Sequence, residues 1–293
     1  NRVSLRIFLS AVAQRKWRMV QADVKTAFLN AVNPGLEYVR LPKEVVKSEQ
    51  QRIRVLKKAL YGLQRAPKMW HLTFVDWALG EGFNQSQHDS CLFFHSTQKK
   101  MLIIYVDDMI MAAESDEMLN EMGVQLMRRF KSRLMGQPTY FLGMNIQYDQ
   151  EKGMMVLSQQ TYIEAVVKKF DFDTVLPKTL PMAPGTVLVK EQSDLMQSTG
   201  EFGSLVGALL FLGVCTRPDI AFAVGVLSKF VSCPTNDYWT AAVALIAYLK
   251  GTKHKGILLG GEHANKVVGY ADADWANDPD DRVSVSGGVI FLG

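Results

Sequence analysis

The sequence predicts an α+β fold, because strand-like and helix-like patterns of apolar residues alternate along the chain. Residues 101–113, which we call the central hairpin, contain two short apolar runs around the adjacent carboxylates Asp107 and Asp108. Short runs rich in Ile and Val are typical of buried strands, so this stretch predicts two strands with both carboxylates at the turn. Residues 201–250 show three apolar helical segments, and residues 267–293 return to strand patterns.

The two carboxylates at the predicted turn carry the first chemical signal. An unpaired carboxylate beside an apolar core is costly, because its charge must be desolvated or its pKa must shift. A divalent cation held by the carboxylates would remove that cost. Aspartate is also common in solvated turns, so a turn without a bound cation stays the alternative from the residues alone.

The first ninety residues predict two helices and two strands around a charged loop. Residues 4–17 place apolar side chains on one helical face, and residues 19–24 alternate as a half-buried strand does, with Asp23 near its end. Residues 36–41 follow an Asn-Pro-Gly turn signal and predict a strand, and residues 43–54 predict a loop. The expected buried faces are Leu5, Phe8, Leu9 and Val12 in the first helix and Trp70, Phe74, Trp77 and Ala78 in a helix that begins at Pro67.

The elements that follow carry capping and turn signals. A strand at residues 91–95 is expected to pair with the central hairpin across a Ser-Thr-Gln-Lys-Lys turn. Ser115 suits the N-cap of a helix whose acidic first turn and basic last turn complement its dipole. Residues 139–148 and 154–157 predict a second hairpin across Glu-Lys-Gly. Further helices are expected at residues 161–170, 201–214, 218–231 and 236–250, and further strands at residues 267–272 and 285–292.

Composition and charge narrow the class of protein. The chain has 293 residues, of which 48% are hydrophobic and 21% charged, so it can bury cores in two or more domains. Its net charge of +4 permits a polyanionic partner without requiring one. Three widely spaced cysteines predict neither a disulfide framework nor a zinc site, which indicates a reducing, intracellular compartment. The longest apolar run, residues 205–214, is too short to span a bilayer, and the sequence does not open with a signal-peptide pattern.

Seven motifs follow one another in a specific order. They are Asp23–Asn30, Ala59–Trp70, Tyr105–Met109, Tyr140–Gly143, Thr216–Val224, Tyr248–Thr252 and Tyr270–Ala276. Together they resemble the reverse transcriptase region of copia-type LTR retrotransposon polyproteins, and the resemblance runs nearly end to end. It implies an α+β right-hand polymerase with a palm and partial fingers at residues 1–170 and a linker at residues 171–200. A helical thumb and connection would occupy residues 201–255, and a truncated RNase H-like β segment residues 256–293.

The resemblance also implies roles for single residues. Phe28 would lie beneath the sugar of the incoming nucleotide and exclude a ribose 2′-hydroxyl, although simple core packing is its alternative. Gly62 would let the backbone approach the nucleotide and the template. The full set implied is Asp23, Asp107 and Asp108 as catalytic carboxylates that hold Mg²⁺ or, in its place, Mn²⁺; Val24, Phe28, Gly62 and Gln64 at the nucleotide; Phe141, Leu142 and Gly143 in a primer grip; and Asp272 in a truncated RNase H site.

The implied function is RNA-directed DNA polymerisation, in which a primer 3′-hydroxyl attacks a dNTP. The partners would be an RNA template, a DNA primer or hybrid duplex and dNTPs, without a membrane; no oligomeric state is implied. The resemblance places such a protein inside the cell, in a cytoplasmic virus-like particle with a nuclear phase, as part of a polyprotein that also serves DNA integration. An inactive retroelement remnant that only binds nucleic acid is the alternative. A metal nuclease would explain Asp107 and Asp108 but none of the other motifs.

Three features depart from the family pattern. Gln64-Arg65 stands where Lys-Gln is usual, and Leu134 stands where the family usually has an aspartate. The strands that hold the triphosphate would lie upstream of residue 1, and most of the RNase H domain beyond residue 293. We therefore expect this chain alone to extend primers poorly and to lack RNase H activity.

Overall fold

The structure, a computed structural model, describes residues 1–46, 48, 52–190, 199–261, 266–276 and 278–292. Contacts between residues divide the chain into two compact units, Asn1–Pro138 and Thr139–Gly293. The sequence predicts the first boundary later, after residue 170. The structure instead groups the second hairpin and the helix after it with the C-terminal helices. The hairpin pairs with a strand that follows those helices, and the helix after the hairpin shares their core.

Within its described residues, the first unit contains three α-helices and eight strands. In chain order its elements are α1 (Arg2–Gln14), β1 (Arg18–Val24), a short 3-10 helix (Ala27–Asn30), β2 (Tyr38–Arg40), β3 (Ile53–Val55), α2 (Ala66–Gly80), β4 (Phe83–Gln85), β5 (Leu92–His95), β6 (Lys100–Tyr105), β7 (Asp108–Ala113), α3 (Asp116–Arg129) and β8 (Ser132–Gly136).

A six-stranded antiparallel sheet in the order β4-β5-β6-β7-β1-β8 organises this unit. The central hairpin forms as predicted, as β6 and β7. The helices α2 and α3 contribute buried aromatic and aliphatic side chains to the core that covers the sheet. The predicted buried faces of α1 and α2 are confirmed, as is the Ser115 N-cap of α3, whose side chain accepts a hydrogen bond from the Met118 amide at 3.4 Å.

Two local predictions in this unit need correction. Part of the predicted loop at residues 43–54 is strand, because β3 pairs with β2 in a separate two-stranded sheet; residues 47 and 49–51 of that loop lie outside the described residues. The strand β8 was not predicted. It lies at the edge of the six-stranded sheet, where one side of a strand needs no partner, and its five residues show no strand pattern on their own.

The second unit contains four α-helices and six strands in its described part. In chain order these are β9 (Tyr140–Phe141), β10 (Met144–Asp149), β11 (Met154–Ser158), α4 (Gln160–Lys169), α5 (Thr199–Cys215), a short 3-10 helix (Pro218–Ile220), α6 (Ala221–Ser228), α7 (Asn236–Gly251), β12 (Gly256–Gly260), β13 (Val267–Ala273) and β14 (Ser286–Leu292).

The helices predicted at residues 161–170, 201–214 and 236–250 are confirmed, and they share one core. The helix predicted at residues 218–231 forms in part, because it begins as the short 3-10 helix and continues as α6, which ends at Ser228. The second hairpin belongs to a four-stranded sheet in the order β12-β11-β10-β9. Residues 256–260 fall within the predicted terminal β segment of residues 256–293, at positions where no strand is predicted; they form β12, which pairs with β11. A glycine is required at position 256, since a Cβ there would lie 2.1 Å from the Leu157 carbonyl oxygen.

Residues 171–190 of the predicted linker lack helix and strand, yet they pack against the helices of the second unit. The Lys250 side chain donates to the Val175 carbonyl at 3.0 Å, and the Tyr238 hydroxyl donates to the Val189 carbonyl. Residues 191–198 lie outside the described residues, and residues 199–200 already belong to α5. Residues 171–190, which we call the strap, are therefore an irregular segment packed on the second unit rather than a free connection.

The terminal strands β13 and β14 form the predicted antiparallel hairpin, and every residue in both strands is exposed. The loop between them contacts the helices of its own unit through an ion pair between Lys229 and the buried Asp278. The backbone amide of Lys190 also donates to Asp280 at 2.9 Å. The hairpin is thus attached through its loop rather than through its strands.

Candidate active site

The three predicted carboxylates lie at the ends of neighbouring strands in the first unit. Asp23 in β1 is directly opposite Asp108 in β7, although 85 residues (108 − 23) separate them in sequence. Opposed residues of an antiparallel pair project to the same face, with Cβ atoms about 5 Å apart. Asp107 occupies the two-residue turn between β6 and β7. All three side chains are half-buried.

Their negative charges act on one another. Burial raises the pKa of Asp108 above its ordinary value, and the charges of Asp107 and Asp23 raise it further, while a hydrogen bond from Gln21 opposes the shift. The pKa of Tyr61 is also raised, first by burial and then by Asp107 and Asp23. None of the ion pairs between described residues includes any of the three carboxylates. The charges therefore repel one another, and none of the three carboxylates is neutralised by an ion pair with a described residue.

The chemistry of these side chains fits a divalent cation. Carboxylate oxygens are the ligands that Mg²⁺ prefers, and protein sites for Mg²⁺ often use one or two carboxylates together with substrate phosphates. Within the described residues, no group of three or more His, Cys, Asp or Glu side chains is arranged to hold a metal ion.

The residues expected at the nucleotide differ in what they can offer. Val24 is buried, and its amide donates to the Asp107 carbonyl at 2.9 Å, so it supports the turn. Gly62 is exposed with φ +97°, a conformation that glycine adopts without strain. Gln64 is exposed. Phe28 is 8% exposed, and its ring packs against Tyr61 with centroids 4.4 Å apart.

An apolar cavity of about 240 Å³ lies beside the turn of the central hairpin. Burial lowers the pKa of His71 in its wall, and burial raises the pKa of the Cys91 thiol, so neither group carries charge near neutral pH. The wall is formed by Phe28, Pro67, Trp70, His71, Phe74, Cys91, Ile104, Tyr105 and Val106.

Exposed cations lie beside Asp23. Arg133 in β8 is opposite Asp23, and the Lys25 amide donates to the Lys131 carbonyl at 2.9 Å. All three side chains are exposed, and none of them takes part in the ion pairs between described residues. Sequence reasoning missed Arg133, because only the register of β8 brings it opposite Asp23. It also missed Tyr61, which belongs to a recognised motif but received no role.

The unusual Leu134 has a structural explanation. It is half-buried, opposes Ala22 in the β1–β8 pair and packs against the core. Its Cδ1 atom lies 2.7 Å from the position that a Cβ would take at Gly123 in α3. Leucine therefore fills the space that this glycine leaves between α3 and β8.

The predicted primer-grip residues form the β9–β10 turn of the second unit. Leu142 and Gly143 both have positive φ, of 48° and 84°, as a two-residue hairpin turn of type I′ requires. Phe141 is 2% exposed, so its side chain packs in the core. A Cβ on Gly143 would lie 2.9 Å from the Phe211 ring, so the turn lies closely on α5. The Leu142 side chain in this turn is half-buried.

Two of the recognised motifs form a buried polar network in the second unit. Arg217 is 1% exposed and binds both carboxylate oxygens of Asp219, at 3.0 and 2.8 Å. It also donates to the Thr252 carbonyl and hydroxyl, and Tyr248 donates to Asp219 at 2.7 Å. These contacts tie the start of the short 3-10 helix to the end of α7. The motifs Thr216–Val224 and Tyr248–Thr252 thus have a structural role here.

Asp272, the expected RNase H carboxylate, is exposed in β13 opposite Gly287. The other aspartates of the following loop have structural partners. Asp274 and Asp281 accept hydrogen bonds from backbone amides of the loop, whereas Asp278 pairs with Lys229 outside it. The structure thus gives these neighbours roles in shaping and attaching the loop.

Comparison with known proteins supports the resemblance that the seven sequence motifs indicate. The family model for reverse transcriptase (RNA-dependent DNA polymerase) matches residues 2–184. The chain is 33% identical over 99% of its length to a retrovirus-related Pol polyprotein from transposon RE1 of Arabidopsis thaliana, covering 20% of that protein. It is 32% identical over 97% of its length to the retrovirus-related Pol polyprotein from transposon TNT 1-94 of Nicotiana tabacum, covering 22% of that protein. It is also 32% identical over 99% of its length to the one from transposon RE2 of Arabidopsis thaliana, covering 20% of that protein. The chain thus spans about a fifth of these relatives.

The described part of the chain contains no helix both long and apolar enough to cross a bilayer.

The family match covers more than half of the chain and includes all three carboxylates of the candidate site. The chain therefore belongs to the reverse transcriptase (RNA-dependent DNA polymerase) family and is similar to a region of copia-type retrotransposon Pol polyproteins.

Proposed function

We propose that this chain carries the nucleotidyl-transfer site of an RNA-directed DNA polymerase from a copia-type retrotransposon. The observation that carries the proposal is the placement of Asp23 opposite Asp108, with Asp107 in the adjoining turn. The family match supports it. The six-stranded sheet would be the palm, and residues 201–255 would contribute to the thumb and connection. The site would act inside the cell, in a cytoplasmic particle with a nuclear phase.

Asp23 and Asp107 would hold Mg²⁺, for which Mn²⁺ can substitute, and Asp108 would contribute mainly through its charge. Mg²⁺ when bound would supply charge stabilisation to the attacking and leaving oxygens of an in-line displacement. The three carboxylates repel one another in the free protein. A bound cation would relieve that repulsion, so the repulsion favours cation binding.

The surroundings of the carboxylates suit a deoxynucleoside triphosphate. The Phe28–Tyr61 pair offers an aromatic wall for the sugar, and Gly62 and Gln64 are exposed on the same stretch as Tyr61. Lys25, Lys131 and Arg133 offer positive charge beside Asp23 for phosphate oxygens. Exposed Lys57, Lys58, Arg65 and Lys68 would contact the backbone of an RNA template or hybrid duplex. The Leu142–Gly143 turn would contact the primer.

Primer extension on an RNA template tests this function. The chain should extend a DNA primer with dNTPs and Mg²⁺, and Asp107→Asn should reduce the rate by about 10³-fold. Asp76→Asn is the matched control, because Asp76 is exposed on α2 and makes no contact with the site. Binding of template and primer with no extension would favour the inactive remnant instead. Equal rates for the wild type and Asp107→Asn would refute the assignment of the site.

A further inference from the structure

The turn that carries Asp107 adopts a conformation that its own sequence does not favour. Val106 has φ +59°, in the left-handed region, where a β-branched side chain is strained. Glycine, asparagine or aspartate would adopt this conformation more readily. The turn must therefore be held by contacts from outside the hairpin.

Two hydrogen bonds from other elements hold the turn. The Val24 amide in β1 donates to the Asp107 carbonyl at 2.9 Å. The indole Nε1 of Trp70 in α2 donates to the Val106 carbonyl at 2.5 Å. These two carbonyls belong to the peptide planes on either side of the Asp107 Cα atom. The two bonds together fix the direction in which the Asp107 side chain leaves the backbone.

Trp70 is itself rigidly placed. It is 2% exposed, and its ring contacts Phe130 edge-on with centroids 5.1 Å apart and Phe74 at 5.9 Å. A buried donor of this kind is costly to leave without an acceptor, so the bond to Val106 is strongly favoured. From the sequence, Trp70 is expected only to fill the core.

We propose that Trp70 is a positioning residue for the catalytic carboxylate Asp107. Its indole N–H holds the Val106–Asp107 peptide so that Asp107 can share a divalent cation with Asp23. The inference rests on the proposed function, because it assumes that these two carboxylates bind the cation. Groups that orient metal ligands in this way typically change metal affinity by about 10–100-fold when they are lost.

The chain offers a matched control seven residues along the same helix. Trp77 packs in the same aromatic cluster, with centroids 5.2 Å from Phe74 and 5.6 Å from Phe130. Its Nε1 is buried without a hydrogen-bond partner. Trp70→Phe and Trp77→Phe therefore remove similar ring area from one core, but only Trp70→Phe removes a bond to the hairpin.

The experiment measures Mn²⁺ binding by electron paramagnetic resonance, without substrate or turnover. We expect Trp70→Phe to weaken Mn²⁺ binding about tenfold and Trp77→Phe to leave it within twofold of the wild type. Adding Val106→Gly to Trp70→Phe should recover part of the affinity, because glycine adopts the positive φ without help. If Trp70→Phe weakened Mn²⁺ binding only through loss of core packing, Val106→Gly would not recover the affinity.

A second measurement needs no variant of Trp70. In the wild-type chain labelled with ¹⁵N at its tryptophan indoles, Mg²⁺ should shift the Trp70 indole resonance and leave that of Trp77 in place. Equal Mn²⁺ affinities for Trp70→Phe and Trp77→Phe, or no shift at Trp70, would overturn the inference and leave the proposed function standing. Equal affinities for the wild type and Asp107→Asn would refute the metal site, and the role of Trp70 with it.

Discussion

At the scale of single residues, the candidate site depends on pairs that the sheet brings together. Asp23 meets Asp108 only through the β1–β7 register, and Phe28 meets Tyr61 only because their two segments pack together. The sequence motifs contain these residues, but they do not show which residue each one faces in the fold. Phe28 shows the difference most clearly, because it is nearly buried beneath Tyr61 rather than freely exposed to a ligand.

The sugar-excluding role of Phe28 predicts a change of substrate preference. Phe28→Val should raise incorporation of ribonucleotides relative to deoxyribonucleotides by about tenfold, because a smaller side chain leaves room for the 2′-hydroxyl. Steady-state incorporation of each nucleotide type measures it. Phe94→Val is the control, since Phe94 is 48% exposed on β5 and should leave the ratio unchanged. An unchanged ratio in Phe28→Val would leave Phe28 with core packing alone.

At the scale of elements, the network around Arg217 predicts a stability defect confined to the second unit. Asp219→Ala should lower the free energy of unfolding by about 3 kcal/mol, because it leaves a buried guanidinium without its counter-charge. Asp173→Ala is the control: this residue is exposed in the strap and should change stability by less than about 0.5 kcal/mol. Urea denaturation of both variants checks the difference.

The same contact predicts a pH dependence with a definite sign. Burial raises the pKa of Asp219, but hydrogen bonds from Arg217 and Tyr248 outweigh it, so the net pKa lies below the ordinary value. A depressed pKa in the folded state adds stability above the unfolded pKa of about 3.9, and this stability is lost as pH falls through the folded value. The difference between wild type and Asp219→Ala should therefore shrink below about pH 4. A difference that grows in acid would contradict the network.

The sequence predicts helices and strands correctly where the periodicity of apolar residues is strong, and it misses strands that form only by pairing with a distant segment. The helices α1 to α7 and the central hairpin are visible in the spacing of apolar residues. Strands β8 and β12 are not, because Ser132–Gly136 is a short edge strand of mixed polarity and Gly256–Gly260 is a short apolar run between glycines. Each becomes a strand only by pairing with a distant segment, β1 or β11, which no local pattern reveals. The motifs that contain the three carboxylates are recognisable from the sequence. The position of Arg133 depends on the register of β8, and the contact of Trp70 depends on how α2 packs against the central hairpin.

At the scale of the whole molecule, two units with separate cores organise the chain. Separate cores predict separate losses of protection against hydrogen exchange. Asp219→Ala should speed amide exchange in α5, α6 and α7 while the amides of the central hairpin keep their wild-type rates. Exchange measured by mass spectrometry on peptide fragments resolves the two regions. Equal acceleration in both would show that the units unfold as one.

Incorporation of a single nucleotide on four RNA templates that differ only in the next base tests the carboxylate site most directly. We expect slow incorporation of the complementary dNTP on each template, dependent on Mg²⁺ or Mn²⁺, and a loss of about 10³-fold in Asp23→Asn and Asp107→Asn but not in Asp76→Asn. Incorporation that ignores the template base, or that survives both active-site substitutions, would refute the proposal that these carboxylates perform RNA-directed DNA synthesis.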